Sequence, residues 1–418
     1  MGAIVALVGT LCSTYVISQL LRNSIGVIAP DLAAELDFSA SQIGILSSLF
    51  FFSFAAAQLP LGIALDRYGP KRCMLACAVV VIAGALLFAS AATSTGLIAA
   101  RILMGLGTSC YLMAPLAFYA RHFAANRFAT FAGLQLGIGT GGTLLATAPL
   151  AFSASIIGWR ATFAAIAAVM GIAALLIAVV VRDESSGAAG KAGRESLWQG
   201  LRGIREVWAT DSVGRLFLMN ITNYSSFVLV VGLWGGPYLS HVYGYSLTER
   251  GNLLLVAAIT QMIGMVSWGT ADRVFGNYKV PALLGAGTTC VMLLALAVFG
   301  RLPLPVLILW FAVFGFCSAF TPVVIAHGKS LFPPHLVGRG ITLLNMGSLG
   351  GVFISQTLTG IVIDIFPTEA GAYPLASYRL VFALQAAFLL VTSAVYLRAR
   401  DPLGQKGLRA PSSRDGDN

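Results

Sequence analysis

Tyr15, Gln19 and Arg22 stand at i, i+4 and i+7 inside the first long apolar run of this 418-residue chain, a spacing that puts all three on one face of a helix. A second arginine, Arg101, interrupts another apolar run about seven residues after Ser94, while Arg22 lies about eight residues before Pro30. At about 1.5 Å of rise per residue the two guanidinium groups sit at similar depth. A charged side chain at membrane depth is costly and is kept for a reason, and the planar guanidinium fork matches carboxylate and phosphate oxygens. The expected chemistry is therefore recognition of an anion by Arg22 and Arg101 beside Gln19 and Tyr15. The other reading of Arg101 is structural, with its donors spent on backbone carbonyls of the first helix. The second half of the chain offers neutral groups: Asn220, Asn223 and Tyr224 on one helix face with Phe227, Gln261 in mid-helix, Trp310 one turn from Phe314, and Asn345 and Gln356 on a later helix. A basic half gripping a head group and an aromatic, amide-bearing half packing a body make a mixed site. The plainer reading of each amide is interhelical packing.

These residues need apolar helices to hold them, and the composition supplies little else. Hydrophobic residues make up 57% of the chain, charged residues 10%, and the mean hydropathy is +0.85; soluble domains carry roughly 25% charge. Apolar runs of 18 or more residues without alternation point to helices rather than a barrel. Spans are expected at 5–28, 43–65, 73–92, 97–120, 129–153, 162–181, 213–234, 253–270, 280–300, 304–326, 341–365 and 380–397. This is an all-α integral membrane fold of twelve transmembrane helices. It divides into a six-helix bundle over 1–181, a cytoplasmic linker over 182–211, a second six-helix bundle over 212–397, and a charged, disordered tail over 398–418. The first run lacks the basic n-region of a cleaved leader and is long enough to stay as a helix.

The net charge of +10 follows topology, so no nucleic-acid partner is expected. With both termini placed in the cytoplasm, 19 of the 26 Lys and Arg fall in inside segments and four (Arg160, Arg250, Arg301 and Arg379) outside, a strong positive-inside bias. Arg215, near the inner end of the seventh helix, reads as an interfacial charge.

The loop after the second helix, Gly62-Ile-Ala-Leu-Asp66-Arg67-Tyr-Gly69-Pro-Lys71-Arg72, has a looser copy after the eighth, Gly269-Thr-Ala-Asp272-Arg273-Val-Phe-Gly276-Asn-Tyr-Lys279, and the two aspartates lie 206 residues apart. Repeated halves of this kind build transporters that rock about a central site. The first loop is similar to the cytoplasmic signature G-x-x-x-D-R-x-G-x-K/R of the major facilitator superfamily, and Arg101-Ile-Leu-Met-Gly105-Leu-Gly107 resembles that family's R-x-x-x-G-x-G motif. The resemblance covers essentially the whole chain. It implies a bacterial inner-membrane, multi-pass secondary transporter with the first and fourth helices lining the cavity. It also implies gating by Asp66 and Arg67, set among Gly62, Gly69, Lys71 and Arg72, with Asp272 and Arg273 as their second copy. The glycine-rich fifth helix lacks the G-P-x-x-G-G order of drug/proton antiporters. Its Gly-x-Gly-Thr-Gly-Gly run resembles the nitrate/nitrite branch, but Thr140 and Ser348 stand where that branch has Asn, and no Arg lies in the second or eighth helix.

An enzyme is not expected, because the chain holds no nucleotide-binding loop, metal triad or nucleophile elbow in a loop large enough to house it. No cofactor or metal is expected either: Cys73 and Cys77 lie one turn apart, but Met219 and Met265 each stand without a second soft ligand. The six cysteines read as small buried thiols. None of the 16 Asp and Glu lies in mid-membrane, and Asp364 is near an outer end, so coupling to an ion is open, with His327 as one candidate. The expected function is alternating-access transport of a small organic anion by a monomer in the lipid bilayer, both termini cytoplasmic. The alternatives are efflux of drug-like or amphipathic metabolites and, from another class, a non-transporting receptor or scaffold.

Overall fold

A computed structural model describes residues 2–123, 125–181, 205–333, 336–368 and 371–403. Most of the expected linker, with Arg182, Lys191, Arg194 and Arg202, and the tail from 404 with Lys406, Arg409 and Arg414, lie outside these residues.

The first half comprises α1 (Gly2–Asn23), α2 (Ile25–Leu36), α3 (Ala40–Tyr68), α4 (Pro70–Ser90), α5 (Ser94–Thr108), α6 (Cys110–His122), α7 (Ala125–Leu145) and α8 (Ala148–Val180). The second comprises α9 (Val213–Leu229), a π-helical turn (Val230–Trp234), α10 (Gly235–Tyr243), α11 (Leu247–Trp268), α12 (Ala271–Phe275), α13 (Lys279–Phe299), α14 (Leu304–Cys317), α15 (Thr321–Leu331), α16 (Val337–Asp364) and α17 (Leu375–Tyr396). Among the described residues, 11 helical stretches are long and apolar enough to cross a membrane. One of them, α8, bends back at Gly158, whose φ of 77° favours glycine, and Ser153 meets Thr162 across the bend at 3.0 Å. Its first part completes the crossing begun by α7 and its second part makes the next, giving the twelve crossings expected.

Local chemistry sets the ends. Ser39 and Gln42 form a capping box at the start of α3, as do Ser246 and Glu249 at the start of α11. Gly69, at φ 82°, ends α3 and lets Pro70 start α4 one residue later, so the signature loop is a tight corner. The first crossing continues to Leu36, past the expected limit at Ile28. Asp31 and Glu35, which read as loop residues, are helical because each has a partner: Arg250 bonds Asp31 at 2.9 Å, and Trp159 donates to Glu35 at 2.6 Å beside an ion pair with Arg160.

The crossings formed by α1/α2, α5/α6, α9/α10 and α14/α15 are all interrupted, at Ser24, at Ser109, over the π turn and over Ser318–Phe320. These are the first, fourth, seventh and tenth crossings, one interruption every third helix through both halves, and the fifth crossing is broken as well, between α7 and α8 at 146–147. Irregular backbone at membrane depth is tolerated where it is buried in protein or lines a cavity.

The halves meet chiefly along α3 and α16. The contacts descend in step: Ala40 with Asp364, Gly44 with Gly360, Ser48 with Thr357 and Phe52 with Phe353. On a second side Gly251 of α11 abuts Ala148 and Ala151 of α8, and on a third Gly26 of α2 lies against Val231 and Gly232. All of these contacts belong to the end or middle of the molecule that carries Asp364. At the other end, among the described residues, Asp66 bonds Arg121 and Lys71 bonds the Ala178 carbonyl within the first half, Arg215 bonds the Arg398 carbonyl within the second, and none of the contacts named above reaches them. One end is shut and the Asp66 end is splayed.

Candidate functional site

Arg22 closes the last turn of α1, just below the break at Ser24. Its residue is 8% exposed, its Cζ lies 4.5 Å from the centroid of the Phe54 ring, and its Nε has no hydrogen-bond partner. A desolvated cation over an aromatic face gains about 2 kcal/mol, well short of the several kcal/mol that burying an ion costs. Tyr15 stands two turns along the same face, buried with its ring against Gly139 of α7. The Gln19 Oε1 and Asn23 Oδ1 atoms are buried without partners. The Asn23 amide donates to the Gln19 carbonyl at 3.0 Å and to Thr143 of α7 at 3.4 Å, and Ser24 Oγ donates to the Leu21 carbonyl at 3.0 Å. Such side-chain bonds to backbone compete with the helix ladder and account for the interruption there. Deeper in the shut interface, Ser47, Ser355 and both amide atoms of Gln356 are also buried and unpartnered. Buried polar groups in folded proteins are normally paired, so this run of open donors and acceptors along the axis marks a ligand-binding candidate.

Several expected ligands are placed elsewhere. Arg101 is fully buried; Nη1 donates to the Leu21 carbonyl at 2.7 Å, Nε donates to the Leu46 carbonyl at 3.3 Å, and Cζ lies 4.5 Å from the Phe50 ring. It is a strut between three helices, as its structural reading expected, with Nη2 left buried and without a partner among the described residues. Trp310 donates to the Met292 carbonyl of α13 at 2.8 Å and stacks on Phe314, which turns it into its own bundle and away from the axis. Asn220 donates to the Leu216 carbonyl at 2.9 Å and accepts from Asn223 and from Ser348 of α16, so these two amides serve helix packing. Tyr224 is half-buried and Gln261 buried. His327 is held on both sides: its Nε2 donates to the Arg400 carbonyl at 2.8 Å, which leaves Nδ1 to accept from Tyr396 Oη at 2.7 Å. The same contacts shorten the expected disordered tail. Residues 398–403 dock on the second half, where Arg215 donates to the Arg398 carbonyl and the Asp401 carboxylate accepts from the amides of Tyr278 and Lys279.

At the splayed end the Asp66 carboxylate, 83% exposed, meets among the described residues only Arg121 of its own half, at 3.4 Å. Arg67 lies over Tyr68, and Lys71 donates to the Ala178 carbonyl at 2.7 Å. Arg72 and Arg273 are exposed and Asp272 is half-buried. Gly276 has φ 64°, so the second copy of the loop turns on a positive-φ glycine as the first does at Gly69.

Gln356, one of the candidate amides, joins the site, and Asn23 extends it beyond the residues that spacing singled out. Asn23 lies four residues after Gln19, on the same face, and that signal was readable. The bonds that shut the Asp364 end join residues hundreds of positions apart and leave no local pattern.

Two bundles of interrupted helices, shut at one end around buried polar groups and splayed at the other, define a multi-pass membrane transporter and not an enzyme. Comparison with known proteins agrees. The Major Facilitator Superfamily profile matches residues 11–270 and 216–414, and the chain belongs to that family. It is 28% identical over 342 residues to the multidrug resistance protein MdtL of Escherichia fergusonii and equally to that of Shigella dysenteriae, covering 79% of this chain and 74% of each relative. In fold it is similar to a bacterial homolog of the human lysosomal transporter Spinster in an inward-facing, unoccupied conformation (TM-score 0.79, 17% identity, 93% of this chain and 95% of that one). It is also similar to the nucleoside transporter NupG (TM-score 0.74, 14% identity, 94% and 98%).

Proposed function

We propose that this protein is a secondary transporter that moves a small organic anion by alternating access, binding it between the halves at Arg22. The observation that carries this reading is a buried guanidinium with an open donor and no hydrogen bond or ion pair among the described residues. A carboxylate or phosphate oxygen there would offset the burial cost, while the open amides of Gln19, Asn23 and Gln356 would orient the remainder. Tyr15, Phe54 and Tyr224 supply an aromatic wall. The bundles 1–181 and 212–397 rock about this site, joined by the linker 182–211, with Asp66, Arg67, Asp272 and Arg273 remaking contacts when the splayed end shuts. The charge asymmetry supports the reading of that end and both termini as cytoplasmic, with the conformer inward-facing in the inner membrane of a bacterium. The protein acts as a monomer.

A second reading, efflux of amphipathic compounds, is supported by the name of the MdtL relatives. The two readings separate by thermal stabilisation of the purified chain against carboxylates, phosphate esters, inorganic anions and lipophilic cations, since a ligand of the folded state raises the melting temperature. Stabilisation by anions that is lost in Arg22→Ala supports the first reading. Stabilisation by cations or neutral compounds alone, unaffected by Arg22→Ala, overturns it.

A further inference from the structure

At the shut end one carboxylate of the second half caps a helix of the first. Asp364, the last residue of α16, accepts the Ala40 amide at 2.8 Å and the Ser41 amide at 2.9 Å, the first two residues of α3. Tyr373 completes the arrangement: its Oη donates to Asp364 Oδ1 at 2.5 Å and shares the Ala40 amide at 2.9 Å. Burial and then the bond to Asp364 push the Tyr373 phenol up to about 12, so it keeps its proton and stays a donor to the carboxylate. The first amides of a helix have no partner within it and carry the positive end of its dipole. The Ser39–Gln42 capping box supplies a bond to the Gln42 amide and not to those of Ala40 and Ser41. The bonds from Asp364 therefore satisfy α3 only while the two halves are together.

We propose that Asp364 is a positioning residue for the transport cycle: a latch, seated by Tyr373, whose charged contacts with the start of α3 set the population of the conformer shut at this end. The Arg250–Asp31 pair at 2.9 Å, buried on its arginine side, braces a second side of the same seam. When the seam opens, α3 loses two charge-assisted bonds and Asp364 loses its two amide donors while keeping Tyr373, and the contacts at the splayed end must compensate. The proposal rests on the alternating-access reading and is independent of the substrate.

The test is hydrogen–deuterium exchange on the purified full chain, without added solute, so that it can fail separately from the anion reading. Asp364→Asn keeps the shape and removes the charge. It is expected to speed exchange about tenfold or more in peptides covering 40–52 and 353–364, and also at the remote contact of 22–28 with 230–236. Peptides covering 60–68 and 337–346 at the opposite end are expected to slow, because opening one end closes the other. Tyr373→Phe should give a smaller change of the same pattern, and Asp364→Glu should restore part of the parent's behaviour. Arg160→Gln breaks a pair on the same face that lies wholly within the first half and should produce no reciprocal change. Faster exchange confined to the first turn of α3, or faster exchange at both ends together, would overturn the latch.

Discussion

Arg101 donates a 2.7 Å hydrogen bond to the carbonyl oxygen of Leu21, the residue immediately before Arg22. One buried arginine thus fixes the backbone from which the other projects, and the two have different work. Replacing Arg101 by Met should remove the charge-assisted bonds to Leu21 and Leu46 at a cost of about 2–4 kcal/mol, seen as a drop of several degrees in melting temperature without any ligand. Arg101→Lys should recover little, because a point ammonium cannot bridge two carbonyls on different helices as the fork does. An unchanged melting temperature in both variants would contradict the strut.

Asp66 has little to lose in the conformer described. Its carboxylate is exposed, and its ion pair with Arg121 is of a kind worth at most about 1 kcal/mol. Asp66→Asn should leave the melting temperature nearly unchanged, yet slow transport in vesicles by tenfold or more if its contacts form when this end shuts. A large loss of thermal stability with normal transport would reverse that assignment.

His327 is expected to behave as a pin between α15, Tyr396 and the docked segment at Arg400. His327→Ala should lower the melting temperature and speed proteolysis after residue 397, while ligand affinity stays within about twofold. If the variant instead changed the pH dependence of transport with its stability intact, His327 would have a coupling role that its two filled hydrogen bonds do not suggest.

The apolar stretches behind the crossings were legible because continuous hydrophobic runs respond directly to the bilayer. The helix ends were less so: Asp31 and Glu35 look like loop residues until Arg250 and Trp159 are brought to them by the fold, and the bend between the fifth and sixth crossings turns on the φ of Gly158 alone. In the site, the spacing of Tyr15, Gln19 and Arg22 reported their shared face, since three residues on one helix define a direction. The sequence left Arg101 two readings, and its donors went to carbonyls as the structural one expected; for Trp310 nothing local said which neighbour its indole would meet. It turned toward a backbone carbonyl instead of the axis. Asp364 was visible as a carboxylate near a helix end, but its partners lie more than 320 positions away, beyond any local pattern.

The central claim is that Arg22 holds the charged head of the solute. Its most direct test is calorimetric affinity of the best stabilising anion for the parent chain, Arg22→Lys and Arg22→Gln, at matched melting temperature. The account predicts that Arg22→Gln weakens binding roughly 30-fold or more and that Arg22→Lys retains part of it. Equal affinity in all three, or tight binding restricted to cationic or neutral compounds, would contradict it.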